Sequence, residues 1–198
     1  MRNAPANSIC VVCDDDETLE SNIEETLINA YNLHKGAVAI TFSLIRKDRN
    51  KKYPDAGKQI GFKDCLRTNS LQITFLRDEI ILRHISFDIN MGSGTGNGGG
   101  EENKFLLDIR RSGGKMFYTP IPIATVNPNA NGSQWFKGYT SQFFINLGWT
   151  SRRLMGFFLG HVYIIYFLIT HYKLYKNDMS FFKAFKYMLT GVYKRVNQ

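Results

Sequence analysis

Residues 36–46 read GAVAITFSLIR, and the alternation within this stretch predicts the class of the fold. Val38, Ile40, Phe42 and Leu44 occupy every second position, with small or polar residues between them. Successive side chains of a strand point to opposite faces of a sheet, so a period of two predicts a strand with one buried face. The stretch therefore favours a sheet-based domain.

Further strand-like stretches follow, each separated from the next by turn residues. We predict strands within LQITFL (71–76), IILRHISFDI (80–89), KFLLDIRR (104–111) and KMFYTPIPI (115–123). Five strands at this spacing are typical of an antiparallel meander. Pro120 and Pro122 lack the amide hydrogen that a sheet ladder requires, so we expect the last of these strands at an edge of the sheet.

The segment before residue 36 has a different pattern. Residues 1–15 are polar and loosely patterned, and we expect them to form a flexible acidic arm. From Asp16 onward the apolar residues recur at helical spacing, and the acids in the first turns complement the helix dipole. These apolar residues are Leu19, Ile23, Leu27, Ala30 and Tyr31. The pattern predicts an amphipathic helix of about four turns.

Helical spacing returns from Ser151 to the end of the chain. The predicted fold is therefore α+β, with an N-terminal amphipathic helix, an antiparallel meander of about five strands and a C-terminal helical hairpin. We divide it into the arm (1–15), an α+β sheet domain (16–150) and hydrophobic and basic amphipathic helices (151–198). The sheet domain includes a flexible glycine-rich loop at 92–103.

Charge is distributed unevenly along the chain, whose formal net charge is +8. Seven of the 17 acids, but only one of the 25 bases, lie within residues 1–25. Opposite charges steer association, so the acidic segment is expected to contact basic surface within the chain or on a neighbouring copy. The alternative is that both are ordinary solvated surface.

The cysteines indicate a reducing compartment. The N-terminal residues contain no apolar stretch of signal-peptide length, and three cysteines, Cys10, Cys13 and Cys65, cannot all pair internally. Cys10 and Cys13 form a C-x-x-C pair, which is half of a zinc site. Outside the C-terminal helices only Cys65, His34 and His84 could complete it, so we predict no metal.

The glycine tract at 91–103, MGSGTGNGGGEEN, matches G-x-G-x-x-G at Gly94, Gly96 and Gly99. A dinucleotide site needs a helix immediately after the glycines, whereas the following EENKFLLDIRR resembles a strand. We therefore interpret the tract as a flexible connector, with phosphate contact as the alternative. Glu101 and Glu102 lie in this flexible context, where carboxylates are usually solvated. The nucleophile-elbow, P-loop and H-E-x-x-H motifs are absent, so we predict no catalytic residues and no cofactor.

Nineteen residues from Leu154 to Tyr172 carry no formal charge and lie between basic flanks. At about 1.5 Å per residue, this segment is just long enough to cross a bilayer. Gly156 and Gly160 have the G-x-x-x-G spacing that allows close helix packing. Three interpretations remain open: a membrane-spanning helix, an amphipathic helix lying in the interface, and a buried helix of a soluble core.

The predicted membrane contacts are Phe157, Phe158, Tyr163, Ile164, Ile165, Phe167, Leu168, Phe181, Phe185 and Met188. The bases predicted to contact anionic lipid or nucleic acid are Arg152, Arg153, Lys173, Lys176, Lys183, Lys186, Lys194 and Arg195. An apolar stripe beside basic residues is typical of a helix bound to an anionic membrane.

These observations predict a non-enzymatic, membrane-associated assembly or adaptor protein that joins an anionic membrane to a protein partner or to further copies of itself. The bulk of the N-terminal domain is expected on the cytosolic side. The alternative is a soluble, basic module that binds single-stranded RNA and whose C-terminal helices are part of its core. An enzyme whose site assembles from distant residues is a third possibility.

Overall fold

The computed structural model describes residues 3–14, 17–47, 52–92, 94–127 and 136–194. The chain forms two compact units. The first comprises Met1–Phe87 and Phe105–Gly132, and the second comprises Asp88–Lys104 and Ser133–Gln198. The α+β class and the C-terminal helices are confirmed.

The first unit is built on a mixed sheet. Its strands are β1 (Ile9–Val11), β2 (Glu17–Leu19), β3 (Ala37–Arg46), β4 (Lys58–Gln59), β5 (Ile73–Leu76) and β6 (Lys115–Val126). The order across the sheet is β1-β5-β3-β6-β2, and β4 also pairs with β6. Strands β3 and β6 run parallel, whereas the other pairs are antiparallel. The predicted antiparallel meander is therefore not confirmed.

Strand β3 is the centre of this sheet. The sequence predicted one buried face, but both faces are buried from Ala37 to Leu44. Ala39, Thr41 and Ser43, which alternate with the large apolar residues, are therefore also inside the protein. A strand that pairs in parallel is typically covered on both faces, which explains the burial of its small and polar positions.

The helices of the first unit differ from the prediction. They are α1 (Ile23–Leu33), α2 (Phe62–Cys65), α3 (Arg77–Leu82) and α4 (Glu101–Arg111), the last of which begins with residues of the second unit. The N-terminal helix expected from Asp16 is not confirmed in that form, because Glu17–Leu19 form β2 and α1 begins only at Ile23. Residues Ile9–Val11, within the segment expected to be an arm, pair with β5 as β1.

Two predicted strands are wrong: one is a helix, and the other consists of the end of α3 and a loop. Residues 80–89 fall in α3 and the loop after it, and residues 104–111 fall in α4. In α4 the apolar residues Phe105, Leu106 and Ile109 lie three and four positions apart and are fully buried. Acids in the first turn and bases in the last turn complement the helix dipole. The period of α4 is therefore that of a helix.

The two prolines of β6 do not lie on an edge strand, because β6 runs between β3 and β2. On one side of β6, β4 pairs with residues 117–118 and β2 pairs with residues 124–126, so Pro120 and Pro122 fall between the two partners. On the other side, the register with β3 shifts between Phe42 and Ser43. Pro120 thus falls in an interruption of the ladder and Pro122, which is in register with Ser43, lies at its end, where a missing amide hydrogen costs little.

The second unit contains α5 (Ser141–Thr170), α6 (Tyr172–Tyr175) and α7 (Phe181–Tyr193). Helix α5 begins before the predicted Ser151, because the Thr140 side chain caps it by accepting a hydrogen bond from the Phe143 amide at 3.2 Å. Gly156 has φ 80° and ψ −176°, so it breaks α5 into two parts.

Helices α5 and α7 pack through close backbone contact at two glycines. A Cβ atom on Gly148 would lie 2.0 Å from the Met188 carbonyl oxygen, and one on Gly191 would lie 1.9 Å from the Ile145 carbonyl oxygen. Only glycine permits this approach. The core of the unit surrounds these contacts and comprises Phe144, Ile164, Phe167, Leu168, Tyr175, Ala184, Met188 and Val192.

Candidate functional site

The glycine-rich segment of the second unit has a defined conformation. Gly92, Gly96 and Gly100 have φ values of 97°, 71° and 103°, which side chains other than glycine rarely adopt. The Gly92 amide donates to the Gly98 carbonyl at 3.2 Å, and the Thr95 hydroxyl donates to the Gly92 carbonyl at 2.9 Å. These bonds close the segment into a compact turn, which we call the glycine loop (residues 88–92 and 94–100).

An ion pair fixes the glycine loop to α5. Arg153 donates from Nε to one Asp88 carboxylate oxygen at 2.6 Å and from Nη2 to the other at 2.9 Å. The Arg153 guanidinium also lies 5.4 Å from the centre of the Trp149 ring. The hydrogen bonds from Arg153, supported by the Asn90 amide and by nearby positive charge, hold the pKa of Asp88 below its usual range. Arg153 therefore has a partner within the protein.

Close packing holds the glycine loop against α5 at a second point. The Thr150 hydroxyl donates to the Gly99 carbonyl at 3.3 Å. A Cβ atom on Gly98 would lie 2.1 Å from the Thr150 hydroxyl oxygen, so this position also requires glycine. On the other side, Lys194 donates to the Asn97 side chain at 2.6 Å. The glycine loop is thus attached to both long helices of its unit.

Two carboxyl groups begin α4 directly after the glycine loop. Burial, with a smaller contribution from the charge of Glu101, raises the pKa of Glu102 to about 7. The Glu101 carboxylate is packed against Gly92, where a Cβ atom would lie 2.8 Å from Glu101 Cδ. Among the described residues, Glu101 Oε2 has no hydrogen-bond partner although it is buried. The Glu101 carboxylate is therefore partly withdrawn from solvent, whereas Glu102 keeps part of its surface in contact with solvent.

This arrangement suits proton transfer to and from a bound hydroxyl group. A carboxyl group whose pKa lies near 7 exchanges its proton readily at neutral pH, which is the requirement for a general base. The buried oxygen of Glu101 can accept one further hydrogen bond. The sequence interpretation missed this pair because it took α4 for a strand. The feature that could have revealed it is two acids immediately after a glycine tract, at the start of a helical period.

A smaller acidic turn follows β1 in the first unit. The Asp14 amide donates to the Glu17 side chain at 3.1 Å. Burial raises the pKa of the Cys13 thiol, and the Glu17 carboxylate adds to the effect. Asp15 and Asp16, also predicted in this acidic segment, lie outside the described residues.

Cys10, Cys13 and Cys65 are free thiols. Burial raises the pKa of Cys65 to about 11, so this thiol remains protonated at neutral pH. Within the described ranges, no group of three or more His, Cys, Asp or Glu residues could hold a metal ion.

The predicted membrane contacts fall into three groups. Phe157, Phe158 and Ile165 are exposed, and Tyr163, Phe181 and Phe185 are half-buried. Ile164, Phe167, Leu168 and Met188 are buried in the core of the second unit. Gly156 forms the break in α5. Gly160 packs against the first part of the same helix, since its Cβ would lie 3.1 Å from Arg152 Cα.

Most of the predicted basic contacts are exposed. Lys173, Lys176, Lys183 and Lys186 lie at the surface of the second unit. Arg152 donates to the Val192 carbonyl at 2.9 Å. Arg195 lies outside the described residues. Of the helices in the described part of the chain, α5 alone is long and apolar enough to cross a membrane by length and composition, a property shared by core helices of soluble proteins.

No protein-family model matches the chain, and no curated protein matches it. Among solved structures, the chain is similar to residues 1–349 of TarS from S. aureus in complex with UDP-GlcNAc, with a TM-score of 0.58 and 10% identity over 89% of this chain and 52% of that chain. It is also similar to the same TarS segment in a second crystal structure, with a TM-score of 0.57 and 8% identity over 89% and 50% of the two chains. The chain thus spans about half the length of these structures, and the similarity establishes a shared fold.

Proposed function

We propose that this chain is part of a protein that binds a nucleotide sugar and transfers its glycosyl group, with Glu102 as the general base. The observation that carries the proposal is the carboxyl pair at the start of α4: the Glu101 carboxylate is packed against Gly92, and its buried Oε2 has no hydrogen-bond partner among the described residues. Burial also raises the pKa of the adjacent Glu102 to about 7. The fold shared with TarS, which was crystallised with UDP-GlcNAc, supports a nucleotide sugar as the ligand.

Each residue of the pair has a role in the proposed reaction. The acceptor oxygen forms a bond to the anomeric carbon of the sugar, and the bond from that carbon to the diphosphate oxygen breaks. The acceptor hydroxyl loses its proton to the Glu102 carboxylate, and the nucleoside diphosphate leaves with the electron pair of the broken bond. Glu101, whose buried Oε2 has no partner within the described residues, accepts a hydrogen bond that orients the acceptor.

The glycine loop has a positioning role in this proposal. The Asp88–Arg153 ion pair and the contact of Gly98 with Thr150 fix the loop on α5. The loop in turn packs Gly92 against the Glu101 carboxylate. Substitutions in the loop are therefore expected to alter the burial of the carboxylates without removing them.

Calorimetric titration with UDP-GlcNAc, followed by an assay of nucleoside diphosphate release, tests the proposal. We expect saturable binding by the wild-type chain and by Glu102→Gln, together with a loss of turnover of about 100-fold or more in the variant. Glu25→Gln is the matched control, because Glu25 is exposed on α1. The proposal is wrong if several nucleotide sugars all fail to bind, or if Glu102→Gln turns over as fast as the control.

We propose membrane-associated assembly, without catalysis, as the second candidate. It is supported by the apolar surface that α5 exposes in the second unit, at Phe157, Phe158 and Ile165 among others. In this second candidate the bulk of the N-terminal domain lies on the cytosolic side of the membrane. A chain that binds vesicles but no nucleotide sugar would favour this candidate. Retention of single-stranded RNA with a steep salt dependence would instead favour the RNA-binding alternative.

A further inference from the structure

The part of α5 that follows Gly156 is too short to cross a bilayer. Gly156 interrupts the helix with φ 80° and ψ −176°, so Phe157 begins a new helical segment that ends at Thr170. At about 1.5 Å per residue, this segment measures roughly 21 Å, compared with a hydrocarbon core of about 30 Å. The break thus divides α5, whose total length would suffice to cross a bilayer if the helix were continuous.

One side of this segment is already covered by protein. Ile164 and Leu168 have no exposed surface and belong to the same core cluster as Ala184, Met188 and Val192 of α7. A spanning helix that packs on a single partner would place α7 in the hydrocarbon as well. However, Lys183 and Lys186 are exposed on α7, and desolvating two ammonium groups is strongly unfavourable.

The other side of the segment is apolar and exposed. Phe158, Val162, Ile165 and Ile169 recur at spacings of four, three and four residues, which places them on one face of the segment, and Tyr172 follows three residues later at the start of α6. Phe158 is 77% exposed, Ile165 44% and Ile169 64%. We call this face the 158–172 stripe. Exposed apolar residues that follow one another along a helix indicate a binding surface, in contrast to single exposed residues.

The charges near the stripe favour an anionic surface as its partner. Lys173 and Lys176 lie just beyond its end, and Lys183 and Lys186 are on α7. Asp178 is the only acid in residues 151–194. In a symmetric contact between two copies these bases would repel one another, whereas anionic headgroups attract them. Tyr166 and Tyr172, both exposed, suit the boundary between headgroups and acyl chains.

We infer that the 158–172 stripe docks the second unit onto an anionic bilayer, with the segment lying in the membrane plane and α7 covering its inner side. The apolar side chains enter the boundary between headgroups and acyl chains, and the lysines remain at headgroup level. This inference rests on the membrane attachment proposed above and specifies it as monotopic. The inference does not depend on the proposal that the chain binds a nucleotide sugar.

Vesicle flotation of the full chain tests this inference. With vesicles of phosphatidylcholine and phosphatidylserine, we expect the wild-type chain to float, to float less at high salt or with phosphatidylcholine alone, and to be released by alkaline carbonate. The variant Phe158→Glu/Ile169→Glu removes two exposed apolar side chains and should lower vesicle affinity at least about tenfold. Leu33→Glu is the control, because Leu33 is 76% exposed but lies on α1.

Three results would overturn the inference. Resistance of the wild-type chain to alkaline carbonate would show a spanning helix, and failure of that chain to float would remove lipid as the partner. A dimer in sedimentation that the double variant dissociates would identify a second copy as the partner. Titration of the double variant with UDP-GlcNAc separates the two proposals, because loss of flotation should leave nucleotide-sugar binding unchanged.

Discussion

Replacing Glu102 by glutamine should change how the stability of the second unit depends on pH. Burial raises the pKa of Glu102 from 4.5 to about 7 in the folded protein. Below about pH 4.5 Glu102 is protonated in both the folded and the unfolded chain, so its burial does not lower the free energy of unfolding. As the pH rises through 7, the folded protein must hold a buried charge, and the free energy of unfolding falls.

The magnitude follows from the two pKa values. The difference between 4.5 and about 7 corresponds to roughly 3 kcal/mol, because one pKa unit is worth about 1.4 kcal/mol. Glu102 keeps part of its surface in contact with solvent, so we expect about 2 kcal/mol after screening. Glu102→Gln has no ionising group. Between pH 5 and pH 8.5, the free energy of unfolding of the variant should therefore rise by about 2 kcal/mol relative to that of the wild-type chain.

Urea unfolding at a series of pH values, followed by the fluorescence of Trp149 in chains that also carry Trp135→Phe, measures this difference. Trp149 is buried in the same unit as Glu102, so its emission reports on the relevant transition. Glu25→Gln controls for the loss of one negative charge at an exposed site. If the variant and the wild-type chain lose stability in parallel from pH 5 to pH 8.5, Glu102 is not buried in the way that its proposed role requires.

Three further substitutions test the packing of the second unit. Gly191→Ala should lower the free energy of unfolding by about 3 kcal/mol in chemical denaturation, because the added methyl group overlaps a carbonyl of α5. The control, Thr190→Ala, should change the free energy of unfolding by less than about 0.5 kcal/mol. Asp88→Asn should lower the free energy of unfolding by about 2 kcal/mol at pH 7, because it weakens the ion pair with Arg153. The pKa of Asp88 is lowered in the folded protein, so the difference from the wild-type chain should vanish when thermal unfolding is repeated at falling pH. Thr140→Ala should lower the free energy of unfolding by about 1 kcal/mol and reduce the helical circular dichroism, because it removes the cap of α5. An unchanged melting temperature would exclude that role of Thr140.

The elements that the sequence predicted correctly have an unambiguous period. Strand β3 alternates over its whole length, and β5 lies within the predicted LQITFL. The C-terminal helices also follow from helical spacing. By contrast, the parallel pairing of β3 with β6 joins distant parts of the chain, and a pattern of local periodicity contains no information about it.

The candidate site was missed for a local reason. Three apolar residues of KFLLDIRR at 104–111 are consecutive and the fourth follows after Asp108, so such a short run fits either a strand or a helix. Assigning it to a strand removed the helix that a ligand-binding glycine loop requires, and Glu101 and Glu102 then appeared solvated. Their burial depends on tertiary packing, which the sequence does not display.

The residues predicted to contact a membrane illustrate a different limit. The sequence identified an apolar segment in α5, but helical spacing alone could not show which side α7 covers. Ile164 and Leu168 are inside the second unit, whereas Phe158 and Ile169 are exposed. The break at Gly156 was likewise not predicted, because the G-x-x-x-G spacing suggested a packing role for that glycine.

Carbon-13 NMR titration of the Glu102 side-chain carboxyl, with and without UDP-GlcNAc, tests the proposed function most directly. The resonance is assigned from its loss in Glu102→Gln. We predict an inflection near pH 7 in the free protein and a clear displacement of that inflection when the nucleotide sugar is added. An inflection near pH 4.5 that UDP-GlcNAc leaves unchanged would contradict both the burial of this carboxyl and its role as the base.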